Sequence, residues 1–468
     1  MPSSGAGHYD LAGGDKGITV TMLTLLLVWL AVGIVIMLIG VQADRYSAGM
    51  PLAYFLGLSL IHAPGAAVYT NFPKWDALAT QTEIGFQQTV TGLVAFLVGV
   101  LLARHITSLS RSRQKQRSWQ PAELESLDRL ALLYLFGGVI YFALGSFVSI
   151  PSVGAIIASL SSLLIVGASL RLWVAHQQRN NVKFWLTFSL LPLLPLITVI
   201  RDGFIGFGTY WLLASVSFAV AQSKRRLGYF LIAPFVIVLG LSVFVNYMAS
   251  RTAYRQAVWF QQVGIGDRFQ RVADMFRNFE WYDSENYKHR EVIDGRLNQN
   301  LLVGAAVERL QSGLVDYAHG STLVDMAIGL IPRALWPDKP QVGGGGTVVT
   351  DFTGIKFADG TSVGAGQVME FYINFGTLGV IGGFLLYGWL IGWMDMRIIE
   401  CLRDDNKKGF LLWFMVCAAM LQPGGQLLEV VVTAAGSAIT AYGIGFFLPS
   451  RFGTKTDVNN DRSTLTVT

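Results

Sequence analysis

Residues 18–41 read ITVTMLTLLLVWLAVGIVIMLIGV, an apolar run without one charged side chain. A helix rises about 1.5 Å per residue, so this stretch suffices to cross a hydrocarbon core of about 30 Å. Ten further blocks of the kind follow, near Pro51–Tyr69, Ile84–Leu102, Leu130–Ile150, Val153–Ala175, Phe184–Ile200, Phe204–Ala221, Gly228–Tyr247, Gln367–Met394, Phe410–Leu421 and Leu427–Leu448. The tenth block is short, and either reaches deeper than its apolar core or bends at Pro423-Gly424-Gly425. Composition agrees: 14% of the 468 residues are charged and 52% are hydrophobic, whereas soluble domains carry about 25% charged residues. Mean hydropathy is +0.48. The sequence therefore predicts an all-α integral membrane protein with about eleven transmembrane helices and one large, mainly helical loop domain.

Lys and Arg give the orientation, because they gather in cytoplasmic loops. Arg104, Arg111, Arg113, Lys115, Arg117 and Arg129 occupy one connection. Arg179 and Lys183, then Lys224, Arg225 and Arg226, then Arg397, Arg403, Lys407 and Lys408, then Arg451 and Lys455 fall on the same side. The intervening short connections hold little more than Lys74 and Arg201. This alternation puts the N-terminus outside and the C-terminus in the cytoplasm, which needs an odd helix count; thirteen would serve if the loop domain hid a hairpin. The chain divides into a first bundle over 1–247, an external loop domain over 248–366, C-terminal membrane helices over 367–450 and a polar tail over 451–468. Met1 to Lys16 lacks the pattern of a signal peptide. The formal charge of +5 fits basic loops rather than a nucleic-acid surface.

Three constellations could carry chemistry. Arg201 ends the sixth block in Ile200-Arg201-Asp202-Gly203; it is either an interfacial anchor paired locally or a guanidinium facing a lipid-linked phosphate. The run from Glu308 to Gly346 mixes Arg309, His319, Arg333 and Lys339 with Glu308, Asp316, Asp325 and Asp338 among apolar residues. It reads as helices lying on the membrane surface or dipping into it, either with a solvated charged face or with a site. Glu370, Tyr372 and Asn374 enter the ninth block together. A carboxylate there needs compensation, which predicts an Arg or Lys partner. The two cysteines, Cys401 and Cys417, lie outside the loop domain, and His62, His105, His176 and His289 are scattered, so neither an external disulfide nor a metal site is predicted.

The segment Ile331-Pro332-Arg333-Ala334-Leu335-Trp336-Pro337-Asp338-Lys339-Pro340, the glycine-rich stretch after it, and Glu370-Phe-Tyr-x-Asn-Phe-Gly entering a helix resemble the Wzy-type polymerases of O-antigen and exopolysaccharide. The layout of many helices with a long periplasmic loop late in the chain is similar too. The motif-like part covers about Val324 to Gly383. An external N-terminus departs from that family's usual layout, in which both ends are cytoplasmic. Arg333 with Gly344, Arg309 with Gly320 and Arg255 with Gly266 fit the Arg, ten residues, Gly spacing associated with its periplasmic arginines; Arg201 does not.

The resemblance implies periplasmic glycosyl transfer in the bacterial inner membrane. The partners would be an undecaprenyl-pyrophosphate-linked glycan donor, a similar acceptor and the bilayer, with room for a chain-length regulator and no nucleic acid. No cofactor or metal is expected. On this reading Arg201, Arg333 and Lys339 bind pyrophosphate, with Arg309 in reserve, and the base is Glu370, with His319 and Asp325 as competitors. An O-antigen ligase, which moves the same donor glycan to lipid A-core, a lipid-linked oligosaccharide flippase, and a non-catalytic scaffold of a polysaccharide complex stay open as alternatives.

Overall fold

The computed structural model describes residues 11–39, 47–73, 78–109, 119–144, 159–223, 228–261, 263–331, 335–336, 338–339, 345–357 and 363–448. Where they are described, the predicted apolar blocks are helical: α1 Leu11–Leu38, α2 Met50–Asn71, α3 Ala79–Leu109, α4 Pro121–Leu144, α5 Leu163–Gln177, α6 Asn181–Leu190, α7 Leu193–Asp202, α8 Gly206–Gln222 and α9 Tyr229–Trp259. The segment that follows adds α10 Ile265–Met275, α11 Tyr287–Arg296, α12 Asn300–Gln311, α13 Ser321–Gly329 and α14 Gly345–Thr353. Then come α15 Gln367–Arg403, α16 Lys407–Met420 and α17 Leu427–Phe447. No strand occurs among the described residues. Among the described residues, seven helical stretches are long and apolar enough to cross a membrane, among them α2, α3, α9, α15 and the α6–α7 pair. The flank of α9 exposes Leu231, Ile232, Phe235, Val236 and Ile237, an apolar surface that suits hydrocarbon and not water.

Local chemistry explains the boundaries. Pro51 occupies the first turn of α2, where its missing N–H costs nothing. The Asn180 side chain accepts the Lys183 N–H at 2.9 Å and starts α6. The sixth block is broken into α6 and α7 at Leu191-Pro192, since Pro192 and Pro195 cannot donate backbone hydrogen bonds. α9 continues through Met248 to Trp259, so the expected domain boundary falls inside a helix.

At the centre, α3 packs along α15 on one side and α12 on the other. A methyl group at Gly388 would run into the Phe96 carbonyl oxygen, and one at Gly304 into that of Gln81; only glycine permits such close helix approach. α12 therefore packs into the core, burying Val303, Ala306, Val307 and Leu310. α13 packs on the first turns of α17: Gly329 sits against Leu428 and Val432.

α15 is interrupted. Phe375 (φ −143°, ψ 21°) and Gly376 (φ 61°, ψ −152°) leave the helical region. The freed groups find partners in the preceding loop. The Ala318 N–H donates to the Ile373 carbonyl at 2.8 Å, and the Gly320 N–H to Asn374 Oδ1 at 2.9 Å. Asn374 Nδ2 donates to Thr322 Oγ1 and to the Glu370 carbonyl, each at 2.7 Å. Non-helical backbone survives in a membrane helix when its polar groups are met in this way.

Candidate functional site

The C-terminus of α7 is gripped by side chains from α9 and α10. Gly203 ends the helix in the left-handed region, at φ 72°. The carbonyls that the helix can no longer use are then met in turn. Ile200 accepts from the Tyr254 hydroxyl at 3.3 Å and Arg201 from Arg268 Nη1 at 3.0 Å. Asp202 accepts from Trp259 Nε1 at 3.0 Å, and Gly203 from the Tyr247 hydroxyl at 2.7 Å and Arg255 Nε at 3.0 Å. Donors and cations are favourable at this negative end of the helix dipole.

The same residues frame an open cleft of about 440 Å³, lined by Arg201, Asp202, Phe204, Val258, Trp259 and Arg268. The Arg201 guanidinium lies over the rings of Tyr141 and Phe142, 4.8 Å and 5.4 Å from their centroids, and donates to the Tyr141 hydroxyl at 3.3 Å. Its Nε is 3.4 Å from Asp202 Oδ1, without hydrogen-bond alignment. Arg255 lies over Phe204 at 3.9 Å and over Trp259 at 5.0 Å. Arg251 and Arg296 crowd the same flank: partial burial and then the Arg251 cation push the Arg296 guanidinium's pKa down. Among the described residues, Asp202 is the carboxylate that pairs with this group of arginines. An excess of guanidinium groups on aromatic platforms has the chemistry that suits an anion.

The expected site residues do not converge on one place. Arg201 stands in the basic cleft. Glu370 is fully buried at the start of α15, and its Oε2 accepts the Leu427 N–H at 2.6 Å, which caps α17. The expected Arg or Lys partner is absent among the described residues; the positive end of α17 compensates the carboxylate instead, as helix N-termini do for anions. Asp325 and Glu429 lie within electrostatic range of Glu370, and the Thr322 hydroxyl is beside its carboxyl group. The other carboxyl oxygen, Oε1, and both side-chain polar atoms of Gln426 are buried without aligned hydrogen-bond partners.

His319 has a positive φ of 45° in the loop that fills the break in α15. Lys339 Nζ donates to the Gly329 and Ile331 carbonyls, each at 3.0 Å, at the end of α13. The Arg309 guanidinium packs on Gly354. Arg333 lies outside the described residues, as do Gly343 and Gly344. The described partners of Arg201 and of Glu370 have no member in common.

Reasoning from the sequence missed Arg255, Arg268 and Trp259 as neighbours of Arg201, because they approach it only through the fold. The signal available was a charged, aromatic, amphipathic stretch over Arg251 to Arg296. Among the described residues, no group of three or more His, Cys, Asp or Glu side chains could hold a metal ion.

Fold and cleft together define an all-α protein with membrane-length helices and a basic cleft at one helix end. The chain belongs to the family of the domain of unknown function DUF8712, whose profile matches residues 53–403. The matched span contains the whole basic cleft, Arg309 and Glu370, and ends before α17. Neither a curated protein nor a solved structure matches the chain.

Proposed function

We propose that the protein is a polyprenyl-pyrophosphate-dependent glycosyltransferase that joins lipid-linked oligosaccharide repeat units. It works at the outer face of a bacterial inner membrane, spans that membrane about eleven times, and turns the segment 248–366 to the periplasm. The observation that carries this reading is the open cleft of Arg201 and Arg268 with Phe204 and Trp259. The 31 residues of α9 make a rod of about 46 Å, longer than a hydrocarbon core of about 30 Å. Its last turns, from Arg251 onward, then rise into the headgroup layer and bring the cleft to the level of lipid phosphates. Guanidinium groups there neutralise charge growing on the departing pyrophosphate.

Arg333 remains a further candidate for the same anion. Lys339 instead donates to the Gly329 and Ile331 carbonyls, and the Arg309 guanidinium packs on Gly354. The O-antigen ligase reading uses the same cleft with a different acceptor. The flippase reading has one feature in its favour, the interrupted helix α15, since broken helices build transporter sites.

The test is purified protein in proteoliposomes supplied with undecaprenyl-pyrophosphate-linked repeat units, assayed for donor binding, polymer formation and transbilayer movement. The expected result is polymer without movement, with Arg201→Lys losing roughly a hundred- to a thousand-fold in rate. Transbilayer movement without covalent products would replace the transferase reading by the transporter one.

A further inference from the structure

We propose that Asp202 is the general base of this transfer, held by Arg201 in the cleft and released when the donor pyrophosphate takes its place. The inference rests on the proposed glycosyl transfer and assigns it a residue that the sequence did not single out for that role.

A pocket built only to hold an anion would bind it better without a carboxylate inside, because like charges repel. Asp202 nevertheless lines the cleft beside Arg201 and Arg268. Its main chain is fixed: the carbonyl accepts the Trp259 indole N–H, and the Gly203 turn follows directly. Its side chain is not. The carboxylate lies 3.4 Å from Arg201 Nε, with the Asp202 side chain 46% exposed, and the Arg268 cation also acts on it.

The ion pair at the other end of the bundle shows what a structural lock looks like in this chain. Arg104 Nη2 meets Asp395 Oδ2 at 2.9 Å, with side chains 5% and 0% exposed, and Asp395 Oδ1 also accepts the Met50 N–H at 3.0 Å. The Arg201–Asp202 pair has neither the alignment nor the burial of that lock. A poorly aligned pair whose carboxylate is 46% exposed contributes little to stability and exchanges partners at little cost. Glu370, the carboxylate first expected in the role, is fully buried and holds the Leu427 N–H.

The step balances with these groups alone. Phosphoryl oxygens of the donor displace the carboxylate from Arg201. Asp202 accepts the proton of the acceptor hydroxyl as that oxygen forms its bond to the anomeric carbon. The bond from the anomeric carbon to the lipid pyrophosphate oxygen breaks, and its electron pair stays on the pyrophosphate beside Arg201 and Arg268. The protonated Asp202 then returns its proton to water.

The experiment compares wild type, Asp202→Asn, Asp202→Glu and Arg201→Ala as full-length proteins in proteoliposomes. Binding of undecaprenyl pyrophosphate and the pH dependence of polymer formation are both measured. Asp202→Asn should bind the lipid pyrophosphate at least as tightly as wild type, while its rate falls by roughly 10²- to 10⁴-fold. The wild-type rate should drop as pH falls and the base is protonated; that acid limb should vanish in Asp202→Asn and persist in a partly active Asp202→Glu. A rate within a few-fold of wild type in Asp202→Asn would overturn the proposal, as would loss of lipid binding by both Asp202 variants. Undiminished lipid pyrophosphate binding by Arg201→Ala would instead overturn the underlying reading of the cleft. The two failures are therefore distinguishable.

Discussion

A buried carboxylate without a cation must be compensated by dipoles, and Glu370 follows that rule by receiving the first N–H of α17. Glu370→Gln keeps a carbonyl oxygen that can accept the same N–H, so its unfolding temperature in detergent should stay near that of wild type. Glu370→Leu leaves the Leu427 N–H buried and unpaired, and should lower stability by about 1–3 kcal/mol. Polymer formation separates this role from catalysis: a cap leaves the Gln variant active, whereas loss of activity in a well-folded Gln variant would return Glu370 to the reaction. Arg333 makes a similar contrast. If it binds pyrophosphate through two oxygens, Arg333→Lys should lose roughly a hundred- to a thousand-fold in polymer formation; near-normal polymer would confine that task to the Arg201 cleft. Arg201 could be picked out in the sequence because a cation just before Asp202-Gly203 marks a helix end. Arg268 could not, since it reaches the Arg201 carbonyl from 67 positions away.

Among the elements, the apolar blocks were legible because bilayer length and helix rise impose one scale on all of them. Their interruptions were not. The stretch Phe375-Gly376-Thr377-Leu378-Gly379-Val380-Ile381-Gly382-Gly383 offers four glycines, and sequence alone does not rank them. The fold puts the break at Gly376, where Ala318 and Gly320 supply replacement hydrogen bonds to its neighbours. Gly376 has a positive φ with extended ψ, a region essentially closed to other residues. Gly376→Ala should therefore cost about 1–3 kcal/mol, read as a lower unfolding temperature in detergent. Gly382→Ala meets nothing within 4 Å and serves as the control, with little loss expected. Equal behaviour of the two variants would argue against the interruption. The packing of α12 was not legible for a related reason: Glu308 and Arg309 stand out in the sequence, whereas Gly304 and its small neighbours fit the helix against α3.

Across the whole molecule, side-chain contacts sort the connections onto two ends. Arg104 near the end of α3 meets Asp395 late in α15, Asp395 receives the Met50 N–H at the start of α2, and Gln222 at the end of α8 donates to the Ser47 carbonyl. Those termini share one end. At the other, the Gln299 N–H donates to the Ile61 carbonyl and the Gln367 N–H to the Pro423 carbonyl. His62 Nδ1 lies 2.7 Å from Asn300 Oδ1, and Gln81 Nε2 donates to Glu308 at 2.6 Å. The ends of α3, α8 and α15, from which the basic connections lead, thus fall together, away from the cleft. We expect the first end to face the cytoplasm. Single cysteines at Ser118 and Asn286, in a chain carrying Cys401→Ala and Cys417→Ala, should react with a membrane-impermeant maleimide from opposite sides. Asn286 should label in intact spheroplasts and Ser118 only after lysis. Labelling of both from one side would break the alternation, and with it the placement of the basic cleft at the outer surface. The reverse pattern would keep the fold but move the chemistry to the cytoplasmic face, where a periplasmic transferase cannot work.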